Sequence, residues 1–346
     1  MKTFQIQLQI KTIFLNLAVL LLLLGMVEII FRMDGISSRL AVPSFGSDHH
    51  EFEIQLSRLK SYHQKHGSIE CIFVGDSLVW LDMDPLRFSE GYHDQTGKEL
   101  ACFNFGIAGL PASGVSVLTE ILVQEYNPKL IIYGLHANSL VVGRDSEDTK
   151  IVIDTPWVRY KTGDFNVLGM LYEESYFVRY LQVSNRLMQF DREALENENG
   201  REPAQLLGFD PKSGQRIDPE IPPSRSNEAD VKGFEKYFQY HIFPENILGL
   251  QNLAQLTDPD TRVIMVMMPV HNSFYAFFEY GEQDYLDIVN TIRAALTDTN
   301  TALVETGERV HLPDETWWDY SHLNRVGAEE FSYWLGEEIG NQLSAP

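Results

Sequence analysis

The segment Ile72-Phe-Val-Gly-Asp-Ser-Leu78 decides the fold, because it runs from a short apolar stretch directly into a Gly-Asp-Ser turn. A continuous apolar run that begins at Cys71 is typical of a strand in a parallel sheet covered on both faces. At the end of that strand and the start of a helix, the Ser77 hydroxyl would lie beside helix amides that can stabilise an oxyanion. The alternative is a plain turn in which Asp76 or Ser77 only caps the helix.

Four further apolar runs repeat this pattern along the chain, at residues 100–105, 130–135, 263–268 and 302–305. Strands that alternate with amphipathic helices predict an α/β fold, a three-layer α/β/α sandwich built on a parallel sheet with right-handed crossovers. Ligands of such sheets bind beyond the carboxyl ends of the strands. We therefore expect the functional residues directly after strands.

A second polar cluster lies near the end of the chain, in Trp317-Trp-Asp319-Tyr-Ser-His322-Leu-Asn, directly before the last helix. A serine nucleophile needs an imidazole as general base and a carboxylate that orients the imidazole. Asp319 and His322 are three residues apart, so one loop can supply both groups. A capping turn with an exposed histidine is the alternative for this segment taken alone.

Together, Gly75-Asp76-Ser77-Leu78 and Asp319-x-x-His322-Leu-Asn resemble the first and last sequence blocks of the SGNH (GDSL) hydrolase family. The resemblance implies a flavodoxin-like α/β/α sandwich and a catalytic triad of Ser77, His322 and Asp319. It also implies an oxyanion hole in which the Ser77 N–H is joined by a glycine and an asparagine.

Two further members of the oxyanion hole follow from the resemblance. Asn104-Phe-Gly-Ile-Ala-Gly109 resembles the second block of the family, whose last glycine donates its backbone N–H, and this implies a role for Gly109. After the third strand the family has Gly-x-Asn-Asp, whereas this chain has Gly134-Leu-His-Ala-Asn138. Asn138 is the candidate side-chain donor, because it carries an amide N–H₂ and follows a strand. His136 is its rival.

The resemblance covers residues 68–138 and 260–340, and between these regions lies a long section without a motif, residues 139–257. This section is rich in aromatic residues at first and rich in Pro and Gly later. We expect an inserted lid or subdomain, because structureless loops of this length in compact domains usually have a function.

Histidines outside these blocks suggest no metal centre. His271 follows the fourth predicted strand, at the edge where substrate would bind, and is a candidate substrate-binding residue. A strand that ends in a proline turn is the alternative. His49 and His50 are assigned to a polar linker, since no His-x-x-x-His helix or acidic cluster accompanies them. We expect neither a metal site nor a cofactor.

The amino-terminal segment predicts a membrane anchor. Lys2 and Lys11 precede an almost wholly apolar run of about 19 residues, nearly enough for a helix to cross a hydrocarbon core. No small-residue cleavage site follows, so an uncleaved anchor is favoured over a signal peptide. The lysines favour a cytoplasmic amino terminus, although Arg32 and Arg39 weaken this charge argument.

This topology predicts a single-pass membrane protein with its large domain outside the cytoplasm. The predicted segments are a cytoplasmic amino terminus (1–11), a transmembrane anchor (12–32), a linker (33–50) and an SGNH-like domain (51–346) that contains the insertion 139–257.

Composition narrows the range of partners. The chain has 27 Lys and Arg against 49 Asp and Glu, which gives a formal net charge of −22. Such a surface repels phosphate backbones, so we expect no nucleic-acid partner. Cys71 and Cys102 lie beside apolar residues and are expected to be buried structural residues, rather than a disulfide or a reactive thiol.

These features predict serine-dependent ester hydrolysis or acyl transfer through a covalent acyl-enzyme. The substrate is an acyl ester, and acylated cell-envelope polysaccharide is the favoured class. A lipase or thioesterase of the same fold is the nearest alternative. A non-catalytic SGNH-like domain that binds glycan or a membrane protein during export is another, since the third block departs from the family pattern. A nucleotide-binding domain would need a phosphate-binding glycine loop, and Asp76 lies where the phosphate would be.

Overall fold

The computed structural model describes residues 2–33, 44–187, 207–215, 234–256, 261–297 and 299–344, and within them five strands form a parallel sheet. The strands are β1 (Cys71–Gly75), β2 (Cys102–Gly106), β3 (Leu130–Leu135), β4 (Arg262–Met267) and β5 (Ala302–Glu305). Their order is β2-β1-β3-β4-β5, and all neighbouring strands are parallel. This is the flavodoxin-like order, in which the winding direction reverses between β1 and β3.

Helices connect the strands and cover both faces of the sheet. In chain order they are α1 (Lys2–Arg32), α2 (His50–His66), α3 (Ser77–Asp82), α4 (Pro85–Thr96), α5 (Ala112–Tyr126), α6 (Asn138–Val141), α7 (Glu147–Ile153), α8 (Pro156–Lys161), α9 (Val167–Glu174), α10 (Tyr176–Leu187), α11 (Pro244–Gln255), α12 (Glu282–Leu296) and α13 (Arg325–Ser344). Short 3₁₀ turns occur at Glu235–Tyr237, Asn272–Phe277, Gly307–Arg309 and Asp314–Thr316.

Side chains alternate along the strands and build two hydrophobic clusters. Ile72 and Val74 of β1 belong to one cluster, together with apolar side chains of α2, α5, α11 and α12. Cys71 and Phe73 belong to the other, together with α3, α4 and α13. The sheet is therefore covered on both faces, and the predicted α/β/α sandwich is confirmed. Cys71 and Cys102 lie opposite each other in the β1–β2 ladder, buried and unbridged.

The long section between β3 and β4 contains part of the core. Its last helix, α11, packs against α5 and forms the crossover to β4. The predicted insertion 139–257 therefore includes a core helix, and only the segment before α11 is additional to the sandwich. Residues 188–206 and 216–233 of this segment lie outside the described residues.

The linker predicted at residues 33–50 extends too far, because its last residues belong to the folded domain. Residues 34–43 lie outside the described residues, whereas Phe45 is fully buried in the core. His49 is not part of a free linker either, because it caps α2 and its Nε2 lies 3.0 Å from the carbonyl oxygen of Ala108. The chain thus joins the domain several residues before α2 begins.

The amino-terminal helix has the properties of a membrane span. Its segment Lys11–Arg32 is 22 residues long, has a mean hydropathy of 2.6 and has no buried portion. A helix of this length and composition is sufficient to cross a hydrocarbon core.

Glycines at the ends of three strands make room for α3. Gly75 pairs in register with Gly106 of β2 and with Gly134 of β3. A Cβ on Gly106 would lie 2.7 Å from Trp80 Cα, and a Cβ on Gly134 would lie 2.5 Å from Val79 Cγ2. Both distances are much shorter than a van der Waals contact, so a side chain at either position would displace α3.

We expect Gly106→Ala to lower the free energy of unfolding by about 3 kcal/mol, because the added methyl group collides with the Trp80 backbone. Gly97→Ala is the control. Gly97 has φ +69° and no atom within 4 Å of an added Cβ. Its left-handed backbone alone should cost about 1 kcal/mol. Chemical denaturation measures both variants, and equal losses would contradict the role assigned to Gly106.

Candidate active site

Three polar side chains meet at the carboxyl edge of the sheet. Ser77 is the first residue of α3, and its Oγ lies 2.9 Å from His322 Nε2. His322 Nδ1 lies 2.9 and 3.1 Å from the two carboxylate oxygens of Asp319. Ser77 and His322 are 245 positions apart in the chain, so only the folded domain brings them together.

The loop before α13 holds Asp319 and His322 in a fixed relation. Asp319 Oδ1 accepts hydrogen bonds from the backbone N–H groups of Ser321 (2.9 Å) and His322 (2.8 Å). Burial opposes ionisation of this carboxyl group, but the adjacent His322 and the two N–H donors lower its pKa below the ordinary value. A carboxylate in this position accepts the Nδ1–H of the imidazole, which leaves the lone pair of Nε2 directed at Ser77.

Asp82, at the other end of α3, ties this loop to the serine helix. Its Oδ1 accepts a hydrogen bond of 3.0 Å from the backbone N–H of Leu323, the residue after His322. One short helix therefore presents Ser77 at its start and fixes the histidine loop at its end. Asp82 was not among the site residues predicted from the sequence. The sequence feature that could have identified it is an acidic residue, five positions after Ser77, in an otherwise apolar helix.

Asp82 is an unusual carboxyl group because it is completely buried. Burial raises its pKa well above the ordinary value of 3.8, and the hydrogen bond from Leu323 N–H offsets only part of this increase. The charges of Asp319 and Asp76 act in the same direction as burial. Its Oδ2 has no hydrogen-bond partner among the described residues.

Asp76 joins the serine turn to the segment after β3. Its Oδ1 accepts from Leu78 N–H at 3.1 Å and so caps α3. Its Oδ2 accepts from His136 Nε2 and from Asn138 Nδ2, both at 2.8 Å. Burial opposes the charge of Asp76, but the interactions with His136 and Asn138 lower its pKa to about 2.

Asn138 and His136, the two candidate oxyanion donors, thus both donate to Asp76. They differ in whether another N–H group remains for a second acceptor. The Asn138 amide has two N–H groups, and Asp76 takes one of them. His136 must carry its proton on Nε2 to bind the carboxylate of Asp76, so in the neutral ring Nδ1 is an acceptor and not a donor. Within the described residues, neither His136 Nδ1 nor Asn138 Oδ1 has a partner.

Backbone donors lie at the same edge. α3 begins at Ser77, and the described residues include no acceptor for the Ser77 N–H. Gly109 lies in the turn after β2, in the left-handed conformation with φ +77°, and its N–H also has no acceptor there. These are the kinds of preorganised donor that stabilise an oxyanion.

His271 lies next to the loop but is engaged in structural contacts. Its Nε2 is 3.0 Å from Asp314 Oδ1, and its Nδ1 accepts from Ser273 N–H at 3.2 Å. The ring lines a cavity of about 470 Å³ that also includes Trp317. A role in substrate binding stays a prediction. Among the described residues, no group of three His, Cys, Asp or Glu side chains could hold a metal ion.

No family model and no curated protein matches the chain. Several solved structures are similar to it. A mutant of an acetyl-xylooligosaccharide esterase from Geobacillus stearothermophilus is 13% identical with a TM-score of 0.38, covering 79% of this chain and 95% of that one. The M. smegmatis aryl esterase is 14% identical with a TM-score of 0.36, covering 79% and 99% of the two chains.

A third similar structure is a carbohydrate acetylesterase from Sinorhizobium meliloti. It is 10% identical with a TM-score of 0.35, and the match covers 80% of this chain and 98% of that one. With identities and TM-scores this low, these likenesses carry no argument about activity.

The pKa of Asp82 predicts how stability depends on pH. The folded protein keeps a proton on Asp82 that the unfolded chain releases above its ordinary pKa of 3.8. The free energy of unfolding should therefore fall as pH rises above about 4, by up to about 1.4 kcal/mol per pH unit. Asp82→Asn removes this titration and keeps an oxygen acceptor for Leu323 N–H.

The stability advantage of Asp82→Asn over the unsubstituted protein should thus be small near pH 4 and should grow as pH rises. Denaturant titrations at a series of pH values measure it. Asp154→Asn, at an exposed position, is the control and should show no such growth. An advantage that does not change with pH would contradict the neutral state of Asp82.

Proposed function

We propose that this chain is a serine esterase or acyl-transfer enzyme of the SGNH kind, with Ser77 as nucleophile, His322 as general base and Asp319 as the orienting carboxylate. The observation that carries the proposal is the continuous hydrogen-bonded path from Ser77 Oγ through the His322 imidazole to Asp319. The same path argues against the non-catalytic alternative, which does not require a serine aligned with an imidazole.

In the first half of the reaction, Ser77 Oγ attacks the carbonyl carbon of an ester. The Ser77 proton passes to His322 Nε2, and Asp319 stabilises the imidazolium that forms. The tetrahedral intermediate carries its negative charge on the former carbonyl oxygen. The N–H groups of Ser77 and Gly109 and the second amide N–H of Asn138 are the donors that we assign to this oxyanion.

In the second half, the bond between the carbonyl carbon and the leaving oxygen breaks. His322 donates its proton to the departing alcohol, and the acyl group stays on Ser77 as an ester. An acceptor hydroxyl then attacks this acyl-enzyme while His322 again takes a proton. The bond between the acyl carbon and Ser77 Oγ breaks, and His322 returns the proton to Ser77 Oγ. Water as the acceptor gives an esterase, and a sugar hydroxyl gives an acyltransferase.

We infer further that α1 anchors the domain on the outer side of a membrane and that the substrate is an acylated glycan of the cell envelope. The length and hydropathy of Lys11–Arg32 support the anchor. The position of Lys2 and Lys11 before the span supports the orientation. The substrate class follows from that location and not from a feature of the site.

The nucleophile can be tested with a fluorophosphonate probe on the full chain in detergent. We expect covalent labelling of the unsubstituted protein and loss of labelling in Ser77→Ala, because the phosphonate requires an activated hydroxyl. Ser116→Ala, in α5, is the control and should label normally. Full labelling of a folded Ser77→Ala protein would assign the nucleophile elsewhere.

The oxyanion assignment predicts different effects for two neighbouring residues. Asn138→Ala should lower kcat on an aryl ester by about 100-fold, the usual effect of removing one oxyanion donor. His136→Gln can still donate to Asp76 and should cost less than about tenfold. Steady-state kinetics of both variants measures this, and a larger loss in His136→Gln than in Asn138→Ala would reverse the assignment.

The orientation predicts the behaviour of a reporter fusion. Alkaline phosphatase joined after residue 60 should be active, because that enzyme folds only where disulfides can form. A fusion before residue 11 should be inactive. A stable but inactive fusion after residue 60 would reverse the topology.

A further inference from the structure

The end of α1 is fixed to the domain through Glu28. This carboxylate accepts hydrogen bonds from the backbone N–H groups of Tyr176 (2.8 Å) and Phe177 (3.1 Å) and from the hydroxyl of Ser175 (2.8 Å). These donors form the start of α10, whose first N–H groups have no partner within the helix. Glu28 therefore caps α10 from another helix, and its negative charge suits the amino-terminal end of the α10 dipole.

Contacts of Phe31 and Arg32, the last two residues of α1, strengthen this attachment. Arg32 donates to the backbone oxygen of Glu174, the last residue of α9, at 2.7 Å. The Phe31 ring lies 5.6 Å from the ring of Phe177 and 5.3 Å from that of Tyr180. The last turn of α1 thus binds the junction between α9 and α10 by a cap, a hydrogen bond and aromatic packing.

This attachment sets the depth of the junction relative to the apolar span. Glu28 lies four residues before Arg32, the end of the span, which is about 6 Å along a helix axis. The residues that Glu28 binds, Ser175 to Phe177, must lie at the same level as Glu28. If the span crosses a bilayer, the α9–α10 junction is held at the boundary between headgroups and acyl chains.

The outer face of α9 is apolar, whereas the exposed face of a helix in a soluble domain is usually polar. Gly169 and Tyr172 are buried, whereas the opposite face is exposed. Beyond residue 33, twelve large hydrophobic side chains of the described residues are exposed, and five of them lie on α9 or just before it. These five form what we call the α9 surface: Phe165, Val167, Leu168, Met170 and Leu171. The Phe165 side chain is 93% exposed.

We propose that the α9 surface rests in the lipid interface beside α1, so that the domain has a second membrane contact and a fixed orientation. This inference rests on the proposed membrane anchoring, but not on the proposed catalysis. Continuity favours lipid as the occupant, because α9 ends at the residue that Arg32 binds, where the apolar span ends. The contact resembles that of an interfacial helix, which buries an apolar face at the headgroup boundary.

The net charge of the chain explains why a membrane contact of the domain would use apolar side chains. The chain has a formal net charge of −22, so its surface as a whole is repelled by anionic headgroups. Exposed aliphatic and aromatic side chains bind a bilayer without charge attraction. The Glu28 cap then determines which side of the domain faces the membrane.

The test uses the full chain in liposomes, with a nitroxide label at Leu168→Cys or Leu171→Cys. Cys71 and Cys102 are buried and stay in place. Collision with oxygen, which concentrates in lipid, is compared with collision with a polar nickel complex. The measured quantity is the ratio of the nitroxide's collision rate with oxygen to its collision rate with the nickel complex. We expect this ratio to be severalfold higher at both positions than at the control Lys98→Cys, an exposed position elsewhere.

Glu28→Ala should lower this ratio at positions 168 and 171 towards the value at position 98, because the cap that holds the junction is lost. Asn16→Ala, which removes another polar side chain of α1, is the matched control and should leave the ratio unchanged. The circular dichroism spectrum of each variant shows whether the domain is folded, and this readout depends neither on catalysis nor on the membrane contact.

Three outcomes would overturn the proposal in distinguishable ways. Release of the whole chain by an alkaline carbonate wash would reject the anchor itself. An anchored chain with water-like ratios at both labelled positions would reject the lipid contact alone. Labels shielded from both reagents would show that protein covers the α9 surface, and not lipid.

Discussion

The site depends on the close approach of α3 to the ends of three strands. A helix can cross a sheet edge at this distance only if the strand residues beneath it lack side chains, and Gly75, Gly106 and Gly134 meet that requirement in register. The crossing places the first residue of α3, Ser77, at the point where the strand order reverses, between β1 and β3. Ligands of such sheets bind in the crevice at this point.

Three aspartates around α3 carry different charges because their surroundings differ. Asp76 and Asp319 each face a histidine, and these partners lower their pKa values in spite of burial. Among the described residues no basic side chain pairs with Asp82, so burial raises its pKa and keeps it neutral. The ionised pair orients two imidazoles, whereas the neutral Asp82 holds the Leu323 backbone. One helix thus joins Ser77, His322 and the segment after β3.

The sequence predicted those features that depend on short patterns. Continuous apolar runs identified the parallel strands, and Ser77, Asp319 and His322 each lie in a motif that follows a strand or precedes a helix. From the sequence, the proximity of Ser77 and His322 followed only from the family resemblance.

Features that depend on contacts between distant segments were not predictable. In the sequence Asp82 resembles an ordinary helix residue, and only the folded structure shows its hydrogen bond from Leu323 N–H. In the sequence His49 resembles part of a linker, and only the folded structure shows its contact with Ala108. Glu28 interrupts an apolar span without apparent reason, and the backbone N–H groups that bind it lie almost 150 positions later. In each case the partner comes from a distant segment of the chain, so the residue type alone did not identify the contact.

The most direct test of the central claim is to trap the acyl group. The protein would be mixed rapidly with an aryl acetate, quenched in acid and digested, and the acetylated peptides would be identified by mass spectrometry. The account predicts that acetyl is found on the peptide that contains Ser77, and that His322→Ala slows its appearance. Acetyl on a different residue, with Ser77 unmodified during turnover, would contradict the account.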